Sequence, residues 1–307
     1  MTRKSKMLLW IVILLVAFSG YILVNHFAKE DENDAKNIKV VNISKDDIEK
    51  IGWNNKVANI ELRNENGTWK YSEDEKCPVD PSYPQKMIDK ICNLTASRVL
   101  TEEEAKEDYG FKERGSNISA SLKGGKVISF YIGDINSVIN EYYIKINNDR
   151  KIYMVSSDFV NTFNYNINDL VIKETIPSYT QIEKMQISSG KENMTLIYKE
   201  QADDKGYKCF ADGVGIDTQK AETLKSNLTA LSFDTCVKYN AGEGELKSFG
   251  FSNPSYKLTV KGNGGSYTLL FGNKVDGKIY VKLDSSKMVY TVKDDITNYL
   301  KADHSSL

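Results

Sequence analysis

The chain has 307 residues, with 41 Lys and Arg against 42 Asp and Glu, and only two His. Its near-neutral charge provides no field that would neutralise phosphates, which excludes nucleic acid as an expected partner. Since His26 follows an apolar run and His304 lies at the far end of the sequence, Ser-His-Asp, Cys-His and His-rich zinc chemistry are excluded as well. Chemistry based on carboxylates, Lys, Tyr or a Ser-Lys pair stays open.

An uncharged run follows a short basic start. Residues 7–24 contain no charged side chain, and Arg3, Lys4 and Lys6 come just before them. As a helix, residues 7–27 would be long enough, at about 1.5 Å per residue, to cross a hydrocarbon core of roughly 30 Å. The sequence therefore predicts a transmembrane signal anchor. A cleaved signal peptide is the alternative, although the run is longer than a usual h-region and no A-x-A site follows it.

The charges around this run give the anchor a direction. The positive-inside rule places the basic side of a membrane helix in the cytoplasm. We therefore expect a cytoplasmic tail at residues 1–6, the anchor at 7–27 with the lipid bilayer as its partner, and a polar linker at 28–37. Residues 28–307 would then lie outside the cytoplasm of a single-pass protein of the cell membrane.

The rest of the chain consists of two similar halves. Four anchors recur: Asn93–Ala96 as Asn227–Ala230, Tyr109–Phe111 as Phe249–Phe251, Phe130–Asp134 as Leu269–Asn273, and Tyr143–Ile146 as Tyr280–Leu283. The offsets between the members of each pair are 134, 140, 139 and 137 residues, and spacing this constant indicates an internal duplication. The sequence therefore predicts a first repeat domain at 38–172 and a second at 173–303.

Each half begins with a strand pair. In the first half, residues 57–64 alternate between apolar and polar side chains, and residues 68–71 follow an Asn66-Gly67 turn. The counterparts in the second half are residues 194–199 and 207–210.

A helix follows each strand pair. Ser82 and Gln85 have the spacing of a capping box, with Pro84 in the first turn, and Ile88, Ile91 and Leu94 then share one face. In the second half, Asp217 or Thr218 can cap the helix, and its apolar stripe consists of Ala221, Leu224, Leu228 and Leu231. Each half is therefore expected to contain one main amphipathic helix.

A four-strand meander and a short helix complete each half. The predicted strands of the first half are 118–122, 127–132, 142–146 and 151–155, and those of the second are 256–260, 266–271, 279–283 and 288–292. The short helices are predicted at 158–163 and 294–300. The expected fold class is α+β, with two similar repeats, each a mainly antiparallel sheet with one main helix and a short terminal helix, behind one N-terminal transmembrane helix.

This order of elements and motifs resembles the bacterial domain of unknown function 4340 (DUF4340). The resemblance covers about residues 40–300 and rests on the aromatic-Gly-Phe motif, the strand end with Gly, and the Tyr-rich hairpin. It implies tandem copies behind one membrane helix, an accessory role in ABC-type transport systems and ABC transporter subunits as partners. It supplies no catalytic residues. The first half departs from the second at Lys112-Glu113, where the second has Ser252–Pro254.

Six motif residues recur between the halves: Gly110, Phe111 and Gly133 in the first, and Gly250, Phe251 and Gly272 in the second. A glycine between aromatic residues is typical of a turn that needs positive φ, with the aromatic rings buried. The alternative is a close approach of the backbone to a ligand. We interpret all six as structural residues.

The densest acidic cluster lies between the helix and the meander of the first half. It consists of Glu102, Glu103, Glu104, Glu107 and Asp108. Paired carboxylates can bind a cation or carry out acid–base chemistry, but the cluster lacks the D-x-D-x-D-G pattern of a calcium loop. Only Glu243 and Glu245 stand at the equivalent place of the second half, so we interpret the cluster as a solvated loop or helix start.

Four cysteines stand at positions 77, 92, 209 and 236. There is no C-x-x-C, so a Cys₄ zinc site has no usual spacing. Outside the cytoplasm disulfides are permitted, and we expect possible bridges within each half, Cys77–Cys92 and Cys209–Cys236. Cys92 lies near the apolar helix face, so a buried thiol is the alternative there.

No residue is assigned a catalytic, cofactor-binding or metal-binding role. The sequence has neither a P-loop nor a G-x-G-x-x-G motif, so nucleotide hydrolysis would belong to another subunit. We expect a non-enzymatic accessory or scaffold component of an envelope complex, such as an ABC-type transport system, without cofactors. The alternative is an extracellular binding module for cell-wall glycan, peptide or a small ligand, where some of the 18 Tyr could stack on the ligand.

Overall fold

The computed structural model describes residues 37–101, 103–104, 108–111 and 115–301. The expected cytoplasmic tail and the anchor at 7–27 lie outside these residues, as do His26, His304 and Lys112-Glu113. Among the described residues, no helix is both long enough and apolar enough to cross a bilayer.

The described chain divides into two compact units. The first consists of the described residues up to Glu73 together with Pro81–Tyr165, and the second consists of Asp74–Asp80 and the described residues from Asn166 onward. The division after Tyr165 lies near the boundary expected at residue 172. The assignment of Asp74–Asp80 to the second unit is a feature that the repeat pattern does not predict.

The first unit contains a large and a small antiparallel sheet. Its strands are β1 (Ile38–Lys39), β2 (Ile48–Asn54), β3 (Asn59–Glu65), β4 (Thr68–Tyr71), β5 (Thr95–Ala96), β6 (Arg98–Val99), β7 (Asn117–Leu122), β8 (Val127–Asn136), β9 (Glu141–Ile146) and β10 (Tyr153–Ser156). The eight-stranded sheet has the order β4-β3-β2-β7-β8-β9-β10-β6, and β1 pairs with β5. The helices are α1 (Ser82–Cys92) and α2 (Ser157–Asn161), with a 3-10 turn at Lys45–Asp47.

The second unit contains one nine-stranded antiparallel sheet. Its strands are β11 (Ile182–Ser189), β12 (Glu192–Tyr198), β13 (Cys209–Ala211), β14 (Val214–Ile216), β15 (Cys236–Lys238), β16 (Tyr256–Gly262), β17 (Gly265–Val275), β18 (Lys278–Leu283) and β19 (Val289–Lys293). Their order is β14-β13-β12-β11-β16-β17-β18-β19-β15. The helices are α3 (Thr218–Thr229) and α4 (Glu243–Ser248), with 3-10 turns at Ile167–Asp169 and Asp294–Asn298.

The two large sheets share one strand order. The order β13-β12-β11-β16-β17-β18-β19-β15 of the second unit matches, strand by strand, the order β4-β3-β2-β7-β8-β9-β10-β6 of the first. Strand β14 is an additional edge strand of the second unit. In both, the predicted four-strand meander (β7–β10 and β16–β19) lies beside the predicted strand pair (β3–β4 and β12–β13). These arrangements confirm a mixed fold of helices and large antiparallel sheets.

A central strand in each sheet has no counterpart among the sequence predictions. Strands β2 and β11 connect the strand pair to the meander. The pairing of β2 shifts between Ile48 and Lys50, and that of β11 shifts between Ile182 and Lys184. In β2 the β-bulge breaks the two-residue alternation by which a strand is recognised, whereas in β11 it lies at the start of the strand.

The main helices begin differently from each other. In α3, Asp217 is the N-cap, and its Oδ1 accepts a hydrogen bond from Lys220 N at 2.8 Å, which confirms that cap. In α1, the predicted capping box is wrong because the N-cap is Pro81, which has no side-chain acceptor. Gln85 instead donates from Nε2 to Asp89 Oδ1 at 3.2 Å.

Aromatic residues fill the core of the first unit in a continuous row. The ring centroids of Trp53 and Phe163 are 5.9 Å apart, those of Phe163 and Phe159 5.7 Å, and those of Phe159 and Phe130 5.3 Å. All four side chains are buried. This aromatic row ties β2 and β8 to α2 and the segment after it, since edge-to-face rings attract beyond their area burial.

Candidate functional site

The recurring glycine motif of the first unit lies against a bulge in β8. The pairing of β8 with β9 shifts between Ile132 and Ile135, and Asp134 N donates to Tyr109 O at 2.7 Å. A Cβ at Gly133 would lie 2.4 Å from Tyr109 O. Position 133 therefore has to be glycine, because the backbone of β8 and the backbone at Tyr109 come too close together for a side chain.

The second unit repeats this contact. The pairing of β17 with β18 shifts between Phe271 and Lys274, and Asn273 N donates to Phe249 O at 2.8 Å. A Cβ at Gly272 would lie 2.0 Å from Phe249 O. Gly250 has φ of +93°, and Gly110 in the first unit has φ of +82°. Both values fit the interpretation of these glycines as turn residues.

Each motif also receives a lysine and a tyrosine from the recurring hairpin. In the first unit, Lys145 Nζ lies 4.6 Å from the centroid of Phe111, and in the second, Lys282 Nζ lies 5.9 Å from that of Phe251. The ring pairs recur as well, Tyr109–Tyr143 at 4.4 Å and Phe249–Tyr280 at 4.7 Å. Sequence reasoning found these lysines within a repeated motif but gave them no role.

Lys282 is the buried member of the lysine pair. Its side chain is 4% exposed, and Nζ donates to Leu283 O at 2.9 Å and Asp284 O at 3.0 Å. Burial lowers the pKa of this ammonium, while Asp284 opposes that shift. The two carbonyl acceptors and the Phe251 face offset part of this desolvation, and through them Lys282 joins the end of β18 to the turn that follows it.

Glu104 of the acidic cluster and Glu245 of the second unit accept hydrogen bonds from local backbone. Glu104 Oε2 accepts from Thr101 N and from Thr101 Oγ1, both at 2.9 Å, and Glu104 also pairs with Arg98. At the equivalent place of the second unit, Glu245 Oε2 accepts from Gly242 N at 2.9 Å. The backbone hydrogen bonds lower the pKa of both carboxyls. This arrangement fits a capped loop in each unit, and Glu102 and Glu107 lie outside the described residues.

The expected disulfide pairs are not formed. All four thiols, Cys77, Cys92, Cys209 and Cys236, are free and buried. Cys77 lies in the segment that belongs to the second unit, whereas its expected partner Cys92 ends α1 of the first. Cys209 is on β13, next to the edge strand β14, and Cys236 is on β15, at the opposite edge of the same sheet. Cys92 is therefore a buried free thiol, which was the alternative to a disulfide, and the other three cysteines are buried free thiols as well.

The buried thiols predict a stability that falls in alkali. Burial raises the pKa of Cys77 to about 12, above the ordinary value of 9.0. The folded thiol therefore holds its proton more tightly than the unfolded one, and its contribution is complete below pH 9 and lost as the pH rises towards 12. In reducing buffer, Cys77→Ser should make the decline in the free energy of unfolding above pH 9 shallower, by up to about 1.4 kcal/mol per pH unit.

Urea unfolding at a series of pH values measures this difference. Burial also raises the pKa of Cys92, but less, so Cys92→Ser is the matched control and should change the slope less. Equal slopes for the Cys77→Ser variant and the unsubstituted chain would contradict the assignment of a tightly held proton to Cys77.

One cleft in the first unit combines amide groups with an apolar floor. It has a volume of about 290 Å³ and lies among the β2–β3 loop, the start of β7, the β8 bulge and the segment after α2. Ile118, Ile132 and Phe163 form its floor. Its polar lining consists of Asn54, Asn55, Lys56, Ser116, Asn117, Tyr142 and Asn164. None of the described residues that line this amide cleft is a carboxylate.

These observations define a class of protein, a duplicated α+β chain with antiparallel sheets in which one motif recurs at the same place. The family model for Domain of unknown function (DUF4340) matches residues 69–224 and again residues 211–307. The chain therefore belongs to the DUF4340 family, and the two matched segments are consistent with tandem copies. Comparison with curated proteins finds no match, and comparison with solved structures finds none either.

Proposed function

We propose that this chain is a non-enzymatic, single-pass membrane protein whose duplicated extracytoplasmic region acts as a scaffold in an envelope complex. Residues 7–27 would anchor it, with residues 1–6 in the cytoplasm and 28–307 outside, as the charge distribution favours. Each repeat would present one sheet with one main helix and a short terminal helix. An ABC-type transport system is the complex that the family resemblance favours.

The main support for this proposal is that the residues that recur in both units make packing contacts. Glycine contacts at the bulges, aromatic pairs and lysines over phenylalanine rings recur in both units. All of them hold a loop onto a sheet. Duplication that retains packing residues favours a function that depends on the surface of the fold, as a scaffold does.

A hairpin tip of the first unit supplies a candidate contact surface. Ile135, Val138 and Ile139 of the β8–β9 hairpin are 40%, 91% and 52% exposed. The corresponding β17–β18 turn of the second unit carries Asp276 and Gly277 instead. Exposed apolar side chains that are grouped at one tip are typical of protein contacts, and the difference between the two tips supports a partner at the first unit.

Site-specific crosslinking in intact cells tests this proposal. Replacing Val138 with p-benzoylphenylalanine in the full-length chain should give, on illumination, a crosslink to an integral membrane protein identified by mass spectrometry. The same replacement at Asp276 is the matched control, since it occupies the polar tip of the second unit, and should give that product weakly or not at all. Finding no membrane-protein crosslink at Val138 would count against a scaffold that contacts its partner there.

A further inference from the structure

We infer that the amide cleft of the first unit binds a neutral saccharide. This inference does not depend on the proposed scaffold role. It rests on three observations, which are the fixed walls of the cleft, the chemistry of its lining and the different construction of the same region in the second unit.

The walls of the cleft are held in place by side chains of β2 and its loop. Asn55 Nδ2 donates to Phe163 O at 2.9 Å, while its Oδ1 accepts from Val57 N at 2.8 Å and Ala58 N at 3.0 Å. Trp53 Nε1 donates to Tyr165 O at 3.1 Å. One wall is thus bonded to the other, and a preformed site spares the ligand the cost of ordering it.

The lining suits hydroxyl groups on a compact ring. Asparagine amides both donate and accept, as a sugar hydroxyl does, and the apolar floor can pack against ring C–H groups. Within the described part of the chain, the Asn117 side chain makes no hydrogen bond, so its donors and acceptor are available to a ligand. Tyr142 is half-buried and adds an aromatic surface with a polar end.

Charge and topology narrow the ligand class further. Lys56 is the charged residue of the described lining, so a cationic ligand would find no negative side chain to pair with. Hydrolysis of a glycosidic bond by two carboxylates is excluded as well, because none of the described lining residues is Asp or Glu. An extended peptide is disfavoured because β2, β7 and β8 are interior strands, each paired on both sides. Their backbone offers no edge to which a peptide strand could add.

The second unit builds the corresponding region without such a cleft lining. Gly190 and Lys191 alone connect β11 to β12, where residues 55–58 form the loop in the first unit. The position of Asn117 is taken by Lys257, and that of Tyr142 by the fully buried Ile279. The repeats therefore share their packing motif but differ at this lining, as expected if one copy acquired a binding site.

Ligand binding by the full-length chain in a detergent without a sugar head group tests the inference. The probes are diacetylchitobiose and cellobiose, measured by saturation-transfer NMR and titration calorimetry. We expect at least one of them to bind with a Kd of about 1 mM or tighter. Asn117→Ala and Tyr142→Ala should each weaken that binding about tenfold or more. Asn193→Ala, the same change on an exposed strand position of the second unit, should leave it unchanged.

Two further measurements keep this test decisive. Asn117→Asp preserves the shape of the side chain but removes its donors, so it should weaken binding even if an alanine variant fails to fold. Circular dichroism of each variant checks folding. Binding of neither disaccharide at about 10 mM, equal affinity in the cleft variants, or binding of trialanine alone would each overturn the inference, the last by identifying a peptide site.

Discussion

Replacing Gly272 with alanine should lower the free energy of unfolding of the second unit by about 3 kcal/mol. The new Cβ would lie 2.0 Å from Phe249 O, and 3.1 Å from the carbonyl carbon of the same residue. This oxygen already accepts a hydrogen bond from Asn273 N at 2.8 Å, so it cannot move away without losing that bond. The neighbouring Phe251 ring need not move, because the Cβ would lie 3.4 Å from it, at ordinary van der Waals contact, so the clash is with the Phe249 backbone.

Gly244→Ala is the matched control in the same unit. Gly244 lies in α4, and a Cβ there meets no atom within 4 Å. Alanine favours a helix over glycine, so the control should be neutral or stabilising by up to about 1 kcal/mol. Urea unfolding followed by circular dichroism measures both variants, and hydrogen exchange assigns the loss to a unit. A Gly272→Ala chain as stable as the control would show that the loop is not held against the bulge.

The same steric argument applies to the first unit. A Cβ at Gly133 would lie 2.4 Å from Tyr109 O and 3.0 Å from the Phe111 ring. Both repeats therefore hold an aromatic loop against a sheet with the same glycine contact. The sequence predicted that these glycines are structural, because glycine next to aromatic residues recurs at a constant offset, but it did not predict the backbone contact at Gly133 and Gly272.

The regular strands were predictable for a similar reason. In β7, buried and half-exposed residues alternate strictly, so the two-residue period is present in the sequence. In β2, the buried residues are Ile48, Ile51, Gly52 and Trp53. A bulge follows Ile48, and three consecutive residues, Ile51 to Trp53, are buried, so buried and exposed residues do not alternate in β2. Sequence periodicity therefore gave no signal for this strand, which joins the strand pair to the meander.

The amide cleft could not be predicted from local patterns. Its polar groups come from four separate places in the chain, which are the β2–β3 loop with Asn54 and Asn55, the start of β7 at Asn117, Tyr142 on β9, and Asn164 after α2. Each is an ordinary polar residue near a strand or helix end. Strand pairing from β2 through β9 and the hydrogen bond from Asn55 to Phe163 O bring them together. The one signal in the sequence was the loss of these residues in the second repeat.

The expected disulfide pairs were wrong for the same reason, because the contacts that place Cys77 join segments far apart in the chain. Spacing within each half suggested Cys77–Cys92, but the Asp74–Asp80 segment belongs to the second unit. There, Val79 pairs with Val171, and Asp80 N donates to Leu170 O at 2.7 Å. These contacts join segments far apart in the chain, and no periodicity records them.

Replacing Trp53 with alanine should lower the free energy of unfolding of the first unit by about 3–5 kcal/mol. Its side chain is 1% exposed and lies at one end of the aromatic row, 5.9 Å from the Phe163 ring. Removal of the indole leaves a cavity in the core and also leaves Tyr165 O without its hydrogen bond. Since that bond holds one wall of the amide cleft, the substitution should also weaken any ligand bound there.

Two controls separate the contributions of packing and hydrogen bonding. Trp53→Phe keeps most of the apolar volume but removes the indole N–H, so it should cost less, about 1–3 kcal/mol. Tyr131→Ala removes a ring of similar size from β8, but that side chain is 43% exposed, so its loss should be small. Urea unfolding of the three variants can be followed by circular dichroism and by tryptophan fluorescence, to which Trp69 on β4 of the same sheet contributes in every variant. Equal losses for Trp53→Ala and Tyr131→Ala would contradict the aromatic row as the core of this unit, because burial is what distinguishes the two positions.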